Sequence, residues 1–286
     1  MRLGAPFAQT IEWTLATANA VVRLFLAPDC VSCGHLLHRP LDGAVCPACW
    51  IAIPRLVAPF CARCGDVLPS LESAPDLCGR CQDRPPLVTI ARSAGQYSGP
   101  LRAMVHGLKY ERRRALAAPL GRLMRDAGAA VLDGADAVVP VPLSWRRSLD
   151  RGFNQADDLA RQLGPPVWRV LTRRRHGPPQ AKLPADERFS NVEGAYATSL
   201  LRSIRHSGLI GRSIAGDAPI LAPPLTGRLV VLVDDVMTTG ATLEACAQAL
   251  VASGAREVRA LTAARAVAGP AARSRTPRRP SAARRR

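Results

Sequence analysis

Lysine is almost missing from this 286-residue chain: Lys109 and Lys182 are the only two, so 37 of its 39 basic residues are arginine. A bias of that kind weakens any argument from a single arginine. Acidic residues are also scarce, 22 against those 39, and the net charge of +17 points to anionic partners, either phosphorylated small molecules or nucleic acid. Aromatic side chains make up only 4%, which argues against a broad stacking platform for nucleic-acid bases. No stretch approaches the ~20 uninterrupted apolar residues of a membrane-spanning helix, so no membrane span is expected and the chain reads as cytoplasmic. With 48% apolar and 21% charged residues, wholesale disorder is excluded, and one sizeable core with a smaller appendage is expected.

Part of the basic charge sits in residues 269–286, where Arg273, Arg275, Arg278, Arg279, Arg284, Arg285 and Arg286 stand with no acidic residue among Pro, Ala and Ser. That composition reads as a disordered basic tail, and removing its seven arginines still leaves the chain at +10. At the other end, Ile11, Leu15, Ala18, Val22 and Phe25 recur at helical spacing. An amphipathic helix within residues 1–28 is therefore expected to dock on the body. It lacks the basic face of a membrane-surface helix, and no small-residue cleavage site of signal-peptide form follows it.

What the chain does have is nine cysteines, eight of them in four Cys-x-x-Cys pairs: Cys30/Cys33, Cys46/Cys49, Cys61/Cys64 and Cys78/Cys81. Each such turn offers two sulfurs to a tetrahedral Zn²⁺, so four turns make two Cys₄ sites. Sequential pairing, the first two turns together and the last two together, closes shorter loops than crossed pairing. Gly34 and Gly65 follow a pair at points where the chain must turn sharply. A disulfide framework is the rival reading, but no secretion signal accompanies the cysteines. His35 and His38 are bystanders beside eight thiols. Residues 29–84 thus read as a double zinc ribbon that owes its fold to metal. Basic residues between the cysteines are few (Arg39, Arg55, Arg63, Arg80), which favours a scaffolding or docking role over nucleic-acid contact.

Residues 85–268 change character, with Gln82 to Pro86 as linker. Strands are expected at 87–97, 135–141, 168–171, 229–233 and 257–266, and helices at 100–110, 115–132, 153–163 and 241–253. The alternation argues an α/β fold with an open, mostly parallel sheet and ligands at the carboxyl ends of its strands. No GxGxxG follows any strand, so a dinucleotide site is disfavoured.

The chemistry centres on the segment 229–250, LVVLVDDVMTTGATLEACAQAL. A buried strand is expected to end in Asp234 and Asp235. A loop follows through Val236, Met237, Thr238, Thr239, Gly240, Ala241 and Thr242, in which a helix begins. Backbone amides at a helix start suit a phosphate group, and the threonine hydroxyls add hydrogen bonds. Two adjacent acids before such a cradle suit a ribose hydroxyl pair attached to that phosphate, and can steady positive charge developing on the sugar.

This segment resembles the 5-phosphoribosyl 1-pyrophosphate (PRPP) motif of type I phosphoribosyltransferases. The chain as a whole, from about Cys30 to Ala266, resembles the ComF family, in which a double zinc ribbon precedes such a domain. The resemblance also rests on YSGPLRAMVHGLKYERRR (97–114), VVPVPLSWRRSLDRGFNQADDLA (138–160), Gln180, Leu183, Glu187 with Arg188, and NVEGAY (191–196). It implies a sheet of type I phosphoribosyltransferase type. It implies a pyrophosphate-gripping loop with Arg146, Arg147 and Arg151, and a second loop, 172–191, closing over substrate with Arg173, Arg174, Gln180 and Arg188. Lys109, in the family-like LKY, would face the site. It implies Mg²⁺ bound with PRPP, and a glycosyltransferase that moves ribose 5-phosphate to a nitrogen acceptor with release of pyrophosphate. The setting would be DNA uptake in competence or nucleotide metabolism. The alternative is a PRPP-sensing or single-stranded-DNA-associated accessory protein of the uptake machinery that keeps the site without turnover. Two features depart from the family: a long stretch, 197–225, expected to be an inserted surface loop, and the basic tail. Cys246 reads as a small buried hydrophobe.

Overall fold

A computed structural model of the chain describes residues 5–68, 76–173, 195–198 and 224–267. The strands are β1 (Val88–Ser93), β2 (Ala137–Pro140), β3 (Leu171–Arg173), β4 (Tyr196–Thr198), β5 (Leu229–Met237) and β6 (Glu257–Arg265). The α-helices are α1 (Ala5–Leu26), α2 (Pro47–Ile51), α3 (Gly79–Asp83), α4 (Gly99–Tyr110), α5 (Ala117–Ala127), α6 (Ala129–Leu132), α7 (Trp145–Arg151), α8 (Gln155–Ala160) and α9 (Ala241–Ala252). Four strands form one parallel sheet in the order β1-β6-β5-β2. The β5 sequence LVVLV is unbroken and apolar because helices cover both faces of a parallel sheet. Its side chains alternate: Val230 and Leu232 join the core under α9, while Leu229, Val231 and Val233 join the core under α4, α5 and α8.

Several boundaries differ from the sequence-based expectation. β5 does not stop before the acids but runs through both to Met237, since β6 keeps pairing with it as far as Met237↔Arg265. The single helix expected at 115–132 breaks into a 3₁₀ turn, α5 and α6. The break falls at Gly128, where a Cβ would come within 2.5 Å of the Leu261 side chain. Instead of a strand at 168–171, Val167 makes an isolated bridge to Val138, and β3 follows, antiparallel to β4. α1 lies within the expected residues 1–28, and of the apolar positions named above whose side chains are described none is fully buried. Leu15 and Phe25 are exposed, Ala18 and Val22 half-buried, and the contact runs through the buried Asn19, whose Oδ1 accepts from the Leu41 amide at 3.0 Å. Among the described residues, no helix is long and apolar enough to cross a membrane.

Residues 28–53, and residues 59–68 with 76–83, form two copies of one small ribbon. In the first, the Cys30 amide donates to His35 O, Gly34 to Cys30 O and Leu37 to Pro28 O; in the second, Cys61 donates to Asp66 O, Gly65 to Cys61 O and Leu68 to Pro59 O. Gly34 and Gly65 have φ of 73° and 69°, the left-handed turn that glycine adopts without penalty. Each copy ends in a one-turn helix, α2 or α3, entered from its third cysteine. Both copies pack on the α/β domain. Val31, Ala44, Val45 and Trp50 of the first lie against the α4–α5 core. The second takes a hydrogen bond from the Ala91 amide to Arg63 O, at an irregularity in β1 between Val88 and Ala91. The segment expected as a linker is itself tied down, with Pro86 O accepting from Arg63 and the Leu87 amide donating to Glu244.

Candidate ligand and metal sites

The eight paired cysteines converge as Cys30, Cys33, Cys46 and Cys49, and as Cys61, Cys64, Cys78 and Cys81, with the sulfurs of each set within 4.8 Å of one another. This is the sequential pairing. Cys33 and Cys46 sulfurs are 3.8 Å apart, and those of Cys64 and Cys78 are 3.6 Å apart. Zn–S bonds of about 2.3 Å in a tetrahedron give sulfur separations of about 3.8 Å, so two structural zinc ions fit these clusters. Electrostatics agree. Burial opposes ionisation of Cys30, yet the amides of Cys46, Cys33 and Ser32 outweigh it and bring the thiol down to about 6. In the second ribbon Cys78, Cys64 and Arg63 do the same for Cys61, again to about 6. Against a hydrogen bond from Ser32, burial and the thiols of Cys46, Cys33 and Cys30 push Cys49 up to about 12. Four thiols this close resist ionising together, and a divalent cation removes that resistance.

The other site lies at the carboxyl end of β5. Because β5 remains a strand through its two acids, they belong to opposite faces of the sheet. Asp235 falls on the α4–α8 side and is buried at 3% exposure. Lys109 of α4 pairs with it at 3.0 Å, and Gln155 at the start of α8 donates Nε2 to Oδ2 at 2.8 Å. Burial disfavours the Lys109 charge, but the carboxylates of Asp235 and Asp234 outweigh it and raise its pKa. Gln155 Oε1 in turn accepts from Arg151, whose guanidinium lies over the Tyr110 ring at 5.0 Å. α8 is held by an Asn154 side chain that caps the Ala156 amide. A two-bond pair also joins Arg114 to the buried Asp158, at 2.6 and 2.7 Å. Asp235 is therefore enclosed by side chains of the protein itself.

Asp234 falls on the α9 side, half-buried, with Oδ1 accepting from the Asp235 amide at 2.8 Å. Burial first, then the neighbouring Asp235 carboxylate, push its pKa up to about 7 against the pull of Lys109 and Arg147. Tyr196 of β4 and Cys246 of α9 share its surroundings. Both are buried and both are raised by that burial. Arg173 lies over the Tyr196 ring at 5.6 Å. The folded chain keeps the Asp234 proton to a higher pH than the unfolded chain does, so stability falls as pH rises from about 4 to about 7. Asp234→Asn should accordingly stabilise the fold at pH 8, by on the order of 2 to 4 kcal/mol in urea unfolding, and do little at pH 4. Equal effects at both pH values would show that no such proton is held.

After Met237 the chain turns through Thr238 and Thr239 to Gly240, which caps α9 at φ 83°, in the left-handed region. Nothing but the Met237 sulfur, at 3.9 Å, would crowd a Cβ there, so conformation and not space calls for glycine. α9 has no side-chain cap hydrogen bond from Gly240, and the Ala241 amide reaches only Thr239 Oγ1, at 3.4 Å. The helix start thus presents amides a few residues past the strand end that carries Asp234.

Of the residues singled out in the sequence, β5 and α9 bring together Asp234, Asp235 and 236–242, and α4 brings Lys109 to Asp235. Arg147 is exposed on α7, close enough to act on Asp234. Arg151 turns to Gln155 and Tyr110. Arg146 belongs to α7, and its side chain lies outside the described residues, as do Arg174, Gln180, Arg188, most of 197–225 and the 269–286 tail. Sequence reasoning missed Gln155 and Tyr196, although both stand inside the blocks quoted for the family. It named Arg80 only among the few basic residues between the cysteines, and it passed over Arg265. Arg80 Nη1 donates to Thr239 O at 2.5 Å, and the buried Arg265 donates to Cys64 O at 2.7 Å and pairs with Asp66 at 3.3 Å.

Residues 21–82 match the double zinc ribbon domain family, and residues 149–280 match the phosphoribosyl transferase domain family. The chain is 35% identical to DNA utilization protein YhgH of Salmonella typhimurium over 229 residues, 75% of this chain and 87% of that protein. It is 34% identical to the Escherichia coli K12 protein of the same name over 231 residues, with the same shares covered. It is 30% identical to Competence protein F of Haemophilus influenzae over 247 residues, 83% of this chain and 96% of that one. Matches of this identity over so much of each relative's length, joined to the two domain matches, mean that the chain belongs to the ComF family.

Proposed function

We propose that the chain binds PRPP at the carboxyl end of β5 and transfers its ribose 5-phosphate to a nitrogen acceptor, releasing pyrophosphate, in the service of DNA handling. One observation carries this reading: a half-buried acid, Asp234, stands directly before a helix start whose cap is a left-handed glycine and whose amides suit a phosphate. In this reading the amides of 239–242 and the threonine hydroxyls hold the 5-phosphate, and Asp234 takes the ribose hydroxyls. Arg147, with Arg146, Arg151 and Arg188 as further candidates, meets the pyrophosphate. Asp235, enclosed by Lys109 and Gln155, contributes its charge through the strand rather than by contact. The bond from the anomeric carbon to pyrophosphate breaks with its electron pair leaving on oxygen. The acceptor nitrogen then bonds to that carbon and gives up a proton to solvent, and Asp234 steadies the cationic sugar between the two events. Neutralisation of the leaving group is the chemistry that Mg²⁺ would supply if bound with the substrate.

The names carried by the relatives, DNA utilization protein and Competence protein F, together with the +17 charge, favour a second reading. In it the same site senses PRPP without turnover in a DNA-binding accessory protein. Calorimetric titration of PRPP and Mg²⁺ tests what the two readings share. The wild type should bind, and Asp234→Asn should bind about ten- to a hundredfold more weakly, the loss of hydrogen bonds to a charged acceptor. A wild type that binds no PRPP would overturn both. Pyrophosphate release with nucleobase or amine acceptors then supports transfer. Its absence, with single-stranded DNA binding that persists in Asp234→Asn, supports the accessory role.

A further inference from the structure

The two ribbons share a backbone pattern, but one of the positions at which their sequences differ reaches beyond the ribbon. The last pair of the second ribbon reads Cys78-Gly79-Arg80-Cys81, and that of the first reads Cys46-Pro47-Ala48-Cys49, so Ala48 stands where Arg80 does. The ribbon itself has no need of an arginine there. Arg80 instead reaches across the molecule to the carbonyl of Thr239, 159 residues further along, at 2.5 Å. Both residues line a cleft of about 740 Å³ between the second ribbon and α9. At its own end the guanidinium neighbours the thiols of Cys64, Cys81 and Cys78. A second strut runs nearby. Arg265 donates to Cys64 O, while its backbone pairs with Met237, the last residue of β5 before the loop. Two arginines thus tie one cysteine cluster to the two ends of a short segment, Met237 to Thr239.

We propose that Arg80 is a positioning residue, through which the zinc-loaded second ribbon holds the 238–242 loop in its ligand-binding conformation. The proposal rests on the reading of that loop as a phosphate cradle. The Thr239 carbonyl, pulled towards the ribbon by a charged donor, fixes the peptide plane whose other side leads to Gly240 and the amides of the α9 start. A tetrathiolate zinc carries two net negative charges, and these keep the guanidinium at the ribbon's edge. Loss of the metal would release both the charge and the strut.

The test uses the full-length, zinc-loaded protein without ligand. Hydrogen exchange is followed at 238–242 in wild type, Arg80→Ala, Arg80→Lys and a control, Arg84→Ala, whose residue lines the same cleft. Arg80→Ala should speed exchange of the loop about tenfold, the loss of one charge-assisted hydrogen bond, with zinc still at two per chain because Ala48 already serves in the first ribbon. Arg80→Lys, which keeps one charged donor, should restore part of the protection, and Arg84→Ala should match wild type. Unchanged exchange in Arg80→Ala would overturn the proposal. So would loss of a zinc from that variant, which would make Arg80 a residue of the ribbon alone. PRPP affinity, read by calorimetry, should fall in step with loop exchange. If the wild type binds no PRPP while the exchange results hold, the phosphate reading fails and the coupling stands.

Discussion

Cys61→Ser should yield a protein with one zinc per chain instead of two, and with its second ribbon unfolded. Cys61 is fully buried, and the small apolar cluster of that ribbon consists of Cys61, Cys64, Leu68 and Cys81 with Leu77 and Cys78 packed on it. Four of its six members are metal ligands, so little else holds it together. Zinc binding to small domains of this kind supplies about 10 to 16 kcal/mol at neutral pH, most of it folding free energy. The loss should spread to the α/β domain. The Ala91 amide loses its acceptor at Arg63 O, and Arg265 loses both Cys64 O and Asp66. Elemental analysis with thermal unfolding followed by circular dichroism measures both effects. A Cys61→Ser protein that keeps two zinc ions, or that melts with the wild type, would contradict the assignment. The first ribbon, docked through Val31 and Trp50 against another part of the core, should keep its own metal.

The second large effect is expected at Lys109→Met, which leaves the Asp235 carboxylate buried beside Gln155 without a cation. Breaking one partner of such a pair costs about 3 to 5 kcal/mol, whereas replacing both costs much less. Lys109→Met/Asp235→Asn should therefore recover at least half of the loss, since Gln155 can still bond an amide. Urea unfolding of the two single variants and the double variant forms a thermodynamic cycle. Additive losses would mean that the 3.0 Å contact is not a working ion pair. Lys109 is one of two lysines in an arginine-rich chain. A compact ammonium at the end of a flexible stem suits a position that is 21% exposed and must meet a carboxylate that is 5% exposed.

What could be read from the sequence was what is local. Cys-x-x-Cys turns write their ligands within three residues, and the LVVLV run of β5 announces a strand covered on both faces. The helix after the Thr-Gly loop is marked by Ala, Leu and Glu. Non-local partners leave no such trace. Gln155 finds Asp235 across 80 residues, Arg80 finds Thr239 across 159, and Arg265 finds Cys64 across 201. Nothing about an arginine among 37 marks it as the one that will reach. α1 meets the ribbon by a contact of the same non-local kind. Its apolar periodicity is real, but the contact is made by the polar Asn19, while Trp13 and Leu24 stay exposed. β5 runs past its sequence-based end because two adjacent acids, which look like the start of a loop, both find places in the strand. The strand continues because each acid has somewhere to go, Asp235 to Lys109 and Gln155, and Asp234 to the half-exposed side.

That alternation makes β5 a segment whose length cannot drift. Substitution there changes one side chain, but an inserted or deleted residue between Val233 and Met237 would exchange the tasks of everything beyond it. The carboxylate meant for the open side would meet the ammonium of Lys109, and its neighbour would lie against Tyr196 and Cys246. Two chemically identical residues side by side are in this sense distinct parts, told apart only by the parity of their positions.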